Sequence, residues 1–166
     1  MLYGGNTKLT PKYVLGIDPG LGGAAALYEP ISKRVVTVFD MPTLEIDGKR
    51  KLDSNTLALM IEEYSKEIGL AIVEQVGAMP GQGVTSMFTF GKVCGVVEGI
   101  LAANMIPIHY VRPQVWKALL NLSHDKDASR QKAMQMFPTH TALFSRKKDD
   151  GRAESLLLAV LGARLI

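Results

Sequence analysis

The sequence predicts one α/β domain built on a mixed five-stranded sheet flanked by helices. Three observations point there. Three β-rich runs separated by short turns fill the first 40 residues, which suits an antiparallel meander. Two further apolar runs, Leu70–Glu74 and Pro107–Val111, each follow a helical stretch. No internal repeat or linker divides the 166 residues, a length that suits a single core.

Taken in order, Met1–Pro11 is polar and Gly-containing and is expected to be a flexible leader (1–11), leaving 12–166 as the domain. Tyr13–Asp18 reads as a buried strand stopped by Pro19-Gly20, Gly22–Tyr28 as a second and the β-branched Arg34–Asp40 as a third. Asp53 or Ser54 can cap a helix whose Leu57, Met60, Ile61, Tyr64 and Ile68 share one face. Leu70–Glu74 is continuously apolar up to its last residue, as in a central strand, and Met79–Gly83 reads as a loop. Thr85–Met105 is helical. Its Gly91, Gly95 and Gly99 form a stripe without side chains, which implies close approach of a sheet, a helix or a second copy of the chain. After the fifth strand, Pro113 opens a short helix. A basic helix capped by Asp127 or Ser129 runs to Phe137, a polar basic loop covers 139–149, and an apolar helix occupies Gly151–Ile166.

Bulk properties narrow the function. Hydrophobic residues make up 47% of the chain, but no window approaches 18 uncharged apolar residues, so no spanning helix and no membrane partner is expected. Neither a signal-peptide pattern nor a zinc-like Cys/His cluster occurs, and Cys94 has no disulfide partner. A cytoplasmic protein is expected. Residues 1–75 carry 8 Lys/Arg against 10 Asp/Glu, and residues 76–166 carry 11 against 6. A basic C-terminal half suits a polyanionic partner, although an ordinary solvated surface would look the same.

Four acids stand out. Asp18 ends an apolar strand beside a Pro-Gly turn, where it serves either the turn or a site. Glu74 ends the second apolar run, and a carboxylate buried there needs a partner, a cation or a raised pKa. Asp150 and Glu154, four apart, share one helical face beside the apolar Leu156–Leu161. Capping would account for one of them. Together they offer an all-oxygen ligand set that suits Mg²⁺, with Mn²⁺ as substitute. Two such ions about 3.5–4 Å apart can flank a phosphorus and activate water for phosphodiester hydrolysis. His109, His124 and His140 lack metal-ligand or triad spacing.

These motifs resemble the RuvC family of Holliday-junction resolvases, within the RNase H-like superfamily. The matching stretches are Leu15–Gly20, Ile72–Gln75, Phe90–Lys92 with Gly95-Val96, Val111–Pro113, and Asp150–Ala159. The compact Asp-Asp-Gly-Arg-Ala-Glu ending is similar to phage-encoded members, for which the location would be the host cytoplasm. The resemblance implies an RNase H-like sheet of three antiparallel and then parallel strands. It also implies a homodimeric, Mg²⁺-dependent endonuclease that nicks four-way DNA junctions in pairs, leaving 5′-phosphates and 3′-hydroxyls. Asp18, Glu74 and Glu154 match the family's first, second and last acids. The remaining acid often lies three residues before the last, where this chain has Gly151, so Asp150 is taken instead, with Asp149 as the alternative. Arg112, Lys117, Lys126, Arg130 and Lys132 match the DNA-facing region. Where cellular members carry a wedge aromatic, this chain has Val76–Gly81, with Met79 as the apolar substitute.

Other readings remain. A sugar-kinase or actin-like nucleotide enzyme shares a strand with Asp and Gly but needs a duplicated domain. The same nuclease fold can act on flaps, RNA–DNA hybrids or precursor rRNA. A structure-specific DNA-binding module without catalysis would use the same basic half.

Overall fold

The computed structural model describes residues 11–77, 81–123, 125 and 127–166. Nearly all of the expected leader lies outside the described residues, as do Met79, His124 and Lys126.

The main sheet runs in the order β3-β2-β1-β6-β7. Strands β1 (Tyr13–Asp18), β2 (Ala24–Glu29) and β3 (Arg34–Asp40) form the antiparallel meander. Strands β6 (Ile68–Glu74) and β7 (Ile108–Val111) then add parallel to β1. This is the mixed sheet expected from the sequence. Between β3 and the first helix stands an element that the sequence reading passed over, a separate hairpin of β4 (Thr43–Ile46) and β5 (Lys49–Leu52). Its turn is Asp47-Gly48, both at positive φ, the backbone that an Asp-Gly pair adopts most readily.

Side-chain alternation on β1 sorts the two layers. Tyr13, Leu15 and Ile17 enter the core under α1 (Ser54–Glu62) and α2 (Val84–Ala103), with Leu57, Ile61, Val97 and Leu101. Val14 enters the opposite core with Ile72, Trp116, Phe144 and the apolar body of α5 (Asp150–Gly162). Helices α3 (Pro113–Leu119) and α4 (Ala128–Met136) pack on that second side. Two of the three capping expectations hold, while Asp127 stands at the start of α4 without a side-chain cap hydrogen bond. Asp53 accepts the Thr56 backbone N–H at 3.1 Å to start α1, and Pro113 occupies the first turn of α3.

Three boundaries differ from the sequence reading. Helix α1 stops at Glu62, because the chain turns so that Ile68 can begin β6. The stretch expected as a polar loop contains two 3₁₀ segments, Pro138–Phe144 and Lys147–Asp149, and Phe144 is completely buried. Helix α5 begins at Asp150 and ends at Gly162.

Helix α5 lies directly on β1. A Cβ at Gly16 would stand 1.9 Å from the Ser155 carbonyl oxygen, and one at Gly162 would stand 2.4 Å from Ile72. A third contact, at the start of the helix, places Gly151 where a Cβ would meet Gly23 Cα at 2.8 Å. By contrast, nothing lies within 4 Å of a Cβ built on Gly91, Gly95 or Gly99. Within the described chain, neither the sheet nor another helix fills the stripe on α2. This helix is also long and apolar enough to cross a membrane by length and composition alone, with mean hydropathy 1.4, which the sequence reading did not anticipate. It nevertheless joins the core under the sheet through Val97 and Leu101, buries Val93 as well, and carries Lys92 and Glu98 within its length.

The contact at Gly16 predicts that Gly16→Ala lowers stability by about 2 kcal/mol or more, because rigid backbone must move to admit the methyl. Urea denaturation measures it; an unchanged midpoint contradicts this packing.

Candidate active site

Two strand ends and one helix start meet on the α5 side of the sheet. In the parallel β1–β6 pair, Gly16 is in register with Ile72 and Ile17 with Val73. One step further along both strands come Asp18 and Glu74. Each is an even step from Val14 or Ile72, so alternation turns both carboxylates toward α5. Both acids are therefore held by rigid strands at the sheet's edge.

Glu74 is buried, and its Oε1 accepts the indole N–H of the fully buried Trp116 at 2.8 Å. Glu154, one helical turn into α5, accepts the Ser129 hydroxyl at 3.1 Å and pairs with Lys117 Nζ at 2.8 Å. Lys117 also sits 5.2 Å from the centre of the Trp116 ring. Asp150 has Arg130 Nε 3.0 Å from its Oδ1, yet the two atoms are buried and not aligned for a hydrogen bond.

The electrostatics follow from this placement. Burial first, then the charges of Glu74 and Glu154, lift the Asp18 carboxyl to about 7, against a partial pull from Lys117. Burial also raises Glu74; the Trp116 hydrogen bond opposes the shift and the Glu154 charge reinforces it. Asp150 is raised too, by burial first, with Arg130 pulling down and Glu154 pushing up. Asp18, Glu74 and Asp150 all feel Glu154, so the four acids form one electrostatic group.

Asp149 belongs elsewhere. It is 1% exposed and accepts the Arg146 backbone N–H and guanidinium at 2.8–3.2 Å. Burial works to raise its carboxyl, but the Arg146 hydrogen bonds win and hold it below the ordinary range.

The basic residues expected to face DNA divide. Arg112 is exposed, Lys117 and Lys132 are half-buried, and Lys126 lies outside the described residues. Arg130 is a correction. It is buried at 7% exposure, and its guanidinium is used on Asp127, Asp150 and the carbonyls of Phe144 and Ser145. Sequence reasoning also missed Ser129 and Trp116 as partners of the acids. A buried Trp needs an acceptor for its N–H, which was the available signal.

Among the described residues, no three His, Cys, Asp or Glu side chains stand close enough together, as placed, to hold a metal ion. Protein donors hold three of the acids instead: Trp116 on Glu74, Lys117 with Ser129 on Glu154, and Arg130 on Asp150. The donor chemistry nonetheless fits a hard divalent cation. All four candidate groups are carboxylates, Asp18 is buried beside like charge, and one oxygen of Asp150 is buried against Arg130 without an aligned hydrogen bond.

With this fold and site in view, the likeness to solved structures is informative. Thermus thermophilus RuvC in complex with Holliday junction substrate superposes with a TM-score of 0.61 at 15% identity, covering 93% of this chain and 96% of that one. The chain has the RuvC fold. Yeast mitochondrial Holliday junction resolvase Ydc2 shares it, with a TM-score of 0.57, 14% identity, and coverage of 96% and 80%. In sequence, the chain is 31% identical to the chloroplastic Holliday junction resolvase MOC1 of Chlamydomonas reinhardtii. That alignment covers 74% of this chain, which spans only 15% of the length of that relative. No family model matches the chain.

Because the folded pKa of Asp18 lies near 7 and an unperturbed aspartate titrates at 3.8, the metal-free native state between those values holds a proton there that the unfolded chain gives up. Stability from this group is complete below about pH 4, declines as pH rises toward 7, and stays lost above. Asp18→Asn should therefore match the wild type near pH 4 and exceed it at pH 8 by on the order of 1–3 kcal/mol. Thermal unfolding in chelator at both pH values checks this; a variant less stable at pH 8 contradicts it.

Proposed function

We propose that this chain is a junction-resolving endonuclease that cuts DNA four-way junctions by divalent-metal-dependent phosphodiester hydrolysis. The observation that carries it is the convergence of Asp18, Glu74 and Glu154, with Asp150 beside them, on a RuvC fold. Asp18, Glu74, Asp150 and Glu154 would hold Mg²⁺, two ions in the full site, with Mn²⁺ as substitute. Held there, such an ion would supply Lewis-acid activation of water and charge stabilisation during phosphodiester hydrolysis. The protein's own part is to hold the carboxylates rigidly and to keep Lys117 available for the phosphate backbone as it leaves Glu154. Exposed Arg112 and half-buried Lys132 add salt-sensitive phosphate contacts, and Lys126 belongs to the same set. A cleft of about 390 Å³, lined in part by Pro19, Glu74, Gln75 and Tyr110, borders the site.

The expected product ends are 5′-phosphate and 3′-hydroxyl. The likeness to MOC1 and the RuvC fold favour branched DNA over flaps, hybrids or precursor rRNA as substrate. A non-catalytic binding module would have no use for acids held at the expense of desolvation. A phage origin and a cytoplasmic setting, host cytoplasm included, are part of the same reading.

Paired nicks need two sites, and we propose a homodimer formed through α2. Three glycines cost a helix up to about 1 kcal/mol each relative to Ala, and no contact within the described chain offsets that cost. On the same helix Val84 and Phe88 are 85% and 76% exposed.

Mapping cuts on a synthetic four-way junction beside matched linear duplex, with Mg²⁺, tests the activity. Asp18→Asn and Glu74→Gln should each reduce cleavage by at least about 10³-fold while junction affinity is kept or improved, since each removes negative charge facing phosphate. Retained cleavage in Glu74→Gln would sink the metal assignment. For the dimer, Gly95→Leu should lower the sedimentation mass to that of a monomer and abolish paired nicking; an unchanged mass rules out this interface.

A further inference from the structure

The chain contains one tryptophan, and its donor is committed to a proposed metal ligand. The local path explains how. Val111 at the end of β7 is in register with Glu74. Arg112 then links directly into α3, with Pro113 in the first turn, and its carbonyl receives the Trp116 backbone N–H at 3.1 Å. One helical turn therefore brings the indole under the carboxylate, where Nε1 lies 2.8 Å from Glu74 Oε1.

Packing alone does not require this contact. Trp116 has no exposed surface and belongs to the core beside α5, a place that any large apolar ring could fill. The indole N–H adds direction. The terminal torsion of a glutamate is broad and nearly two-fold, so a buried carboxylate without a hydrogen-bond donor has no single orientation. One donor on Oε1 fixes that plane and leaves Oε2 with a defined direction.

We propose that Trp116 is a positioning residue for Glu74: its indole N–H pins Oε1, and Oε2 is thereby aimed at the divalent cation. This inference rests on the metal-dependent reading above. It assigns the orientation of the acid to a residue that carries no charge and acts only through Glu74.

Because Trp116 is the single tryptophan, it can be replaced throughout by biosynthetic incorporation without a second site being altered. Benzothienylalanine keeps the ring shape and removes the N–H; 5-fluorotryptophan keeps both. With the full chain, Mn²⁺ binding is measured by calorimetry without DNA, and junction cleavage is measured over a range of Mg²⁺. The benzothienyl protein should show the wild-type unfolding temperature and junction Kd. Its Mn²⁺ affinity should fall about 10–100-fold, with a matching rise in the Mg²⁺ needed for half-maximal kcat. The fluorotryptophan protein should restore both. Wild-type Mn²⁺ binding that is undiminished in the benzothienyl protein overturns the assignment of Trp116 alone. Absence of Mn²⁺ binding in the unmodified protein overturns the metal reading itself.

Discussion

At Gly16 the backbone of α5 touches the backbone of β1, with the Ser155 carbonyl occupying the space where a side chain would begin. The rest of the site depends on that contact. A helix resting on side chains is held off the sheet by their bulk, whereas one seated on glycine comes closer, and its first turns fall within reach of the strand ends. Gly162 repeats the arrangement over Ile72 and Val14, and Gly151 repeats it against the Gly22-Gly23 turn. This seating brings Glu154 into the field of Asp18 and Glu74. It also accounts for the glycine at the position where an acid was expected. A side chain at 151 would collide with the β1–β2 turn, so the acid on this face stands one residue earlier, at Asp150.

The resulting cluster has too little positive charge close to it. Lys117 and Arg130 each touch one acid, Trp116 and Ser129 add neutral donors, and Asp18 accepts none of them. A site in this condition is stabilised more by a multivalent cation than by further hydrogen bonds, because only the cation reduces the mutual repulsion of all four carboxylates at once. The same donors keep the acids apart without it. The raised Asp18 value reflects burial first and this charge imbalance second.

The sheet was legible because its strands are continuous apolar runs with clear stops, and the strand-end acids because alternation then fixes their side of the sheet. Asp53 and Pro113 were legible through local capping chemistry. The β4–β5 hairpin was passed over although Asp47-Gly48 marks its turn; its strands are short and polar, so hydrophobic periodicity gives little signal. Arg130 was misread for a different reason. Composition records that a charge exists, and only the fold shows that Asp127 and Asp150 approach it from two helices and remove it from the surface.

Asp149 and Asp150 show where sequence spacing stops being sufficient. Asp149 precedes α5 and Asp150 begins it, and either could be paired with Glu154 on paper. The break between the 3₁₀ segment and the α-helix falls between them, so their side chains leave in different directions. Asp149 closes a reciprocal capping arrangement with Arg146 and is neutralised within the turn. Asp150 is the first residue with full α-helical spacing to Glu154, and it keeps an oxygen that no hydrogen bond satisfies. Asp149 is paired four ways to arginine and backbone, whereas Asp150 meets the single Arg130 guanidinium at 3.0 Å. Asp150, and not its more deeply buried neighbour, therefore lies one helical turn from Glu154 on the same helix face.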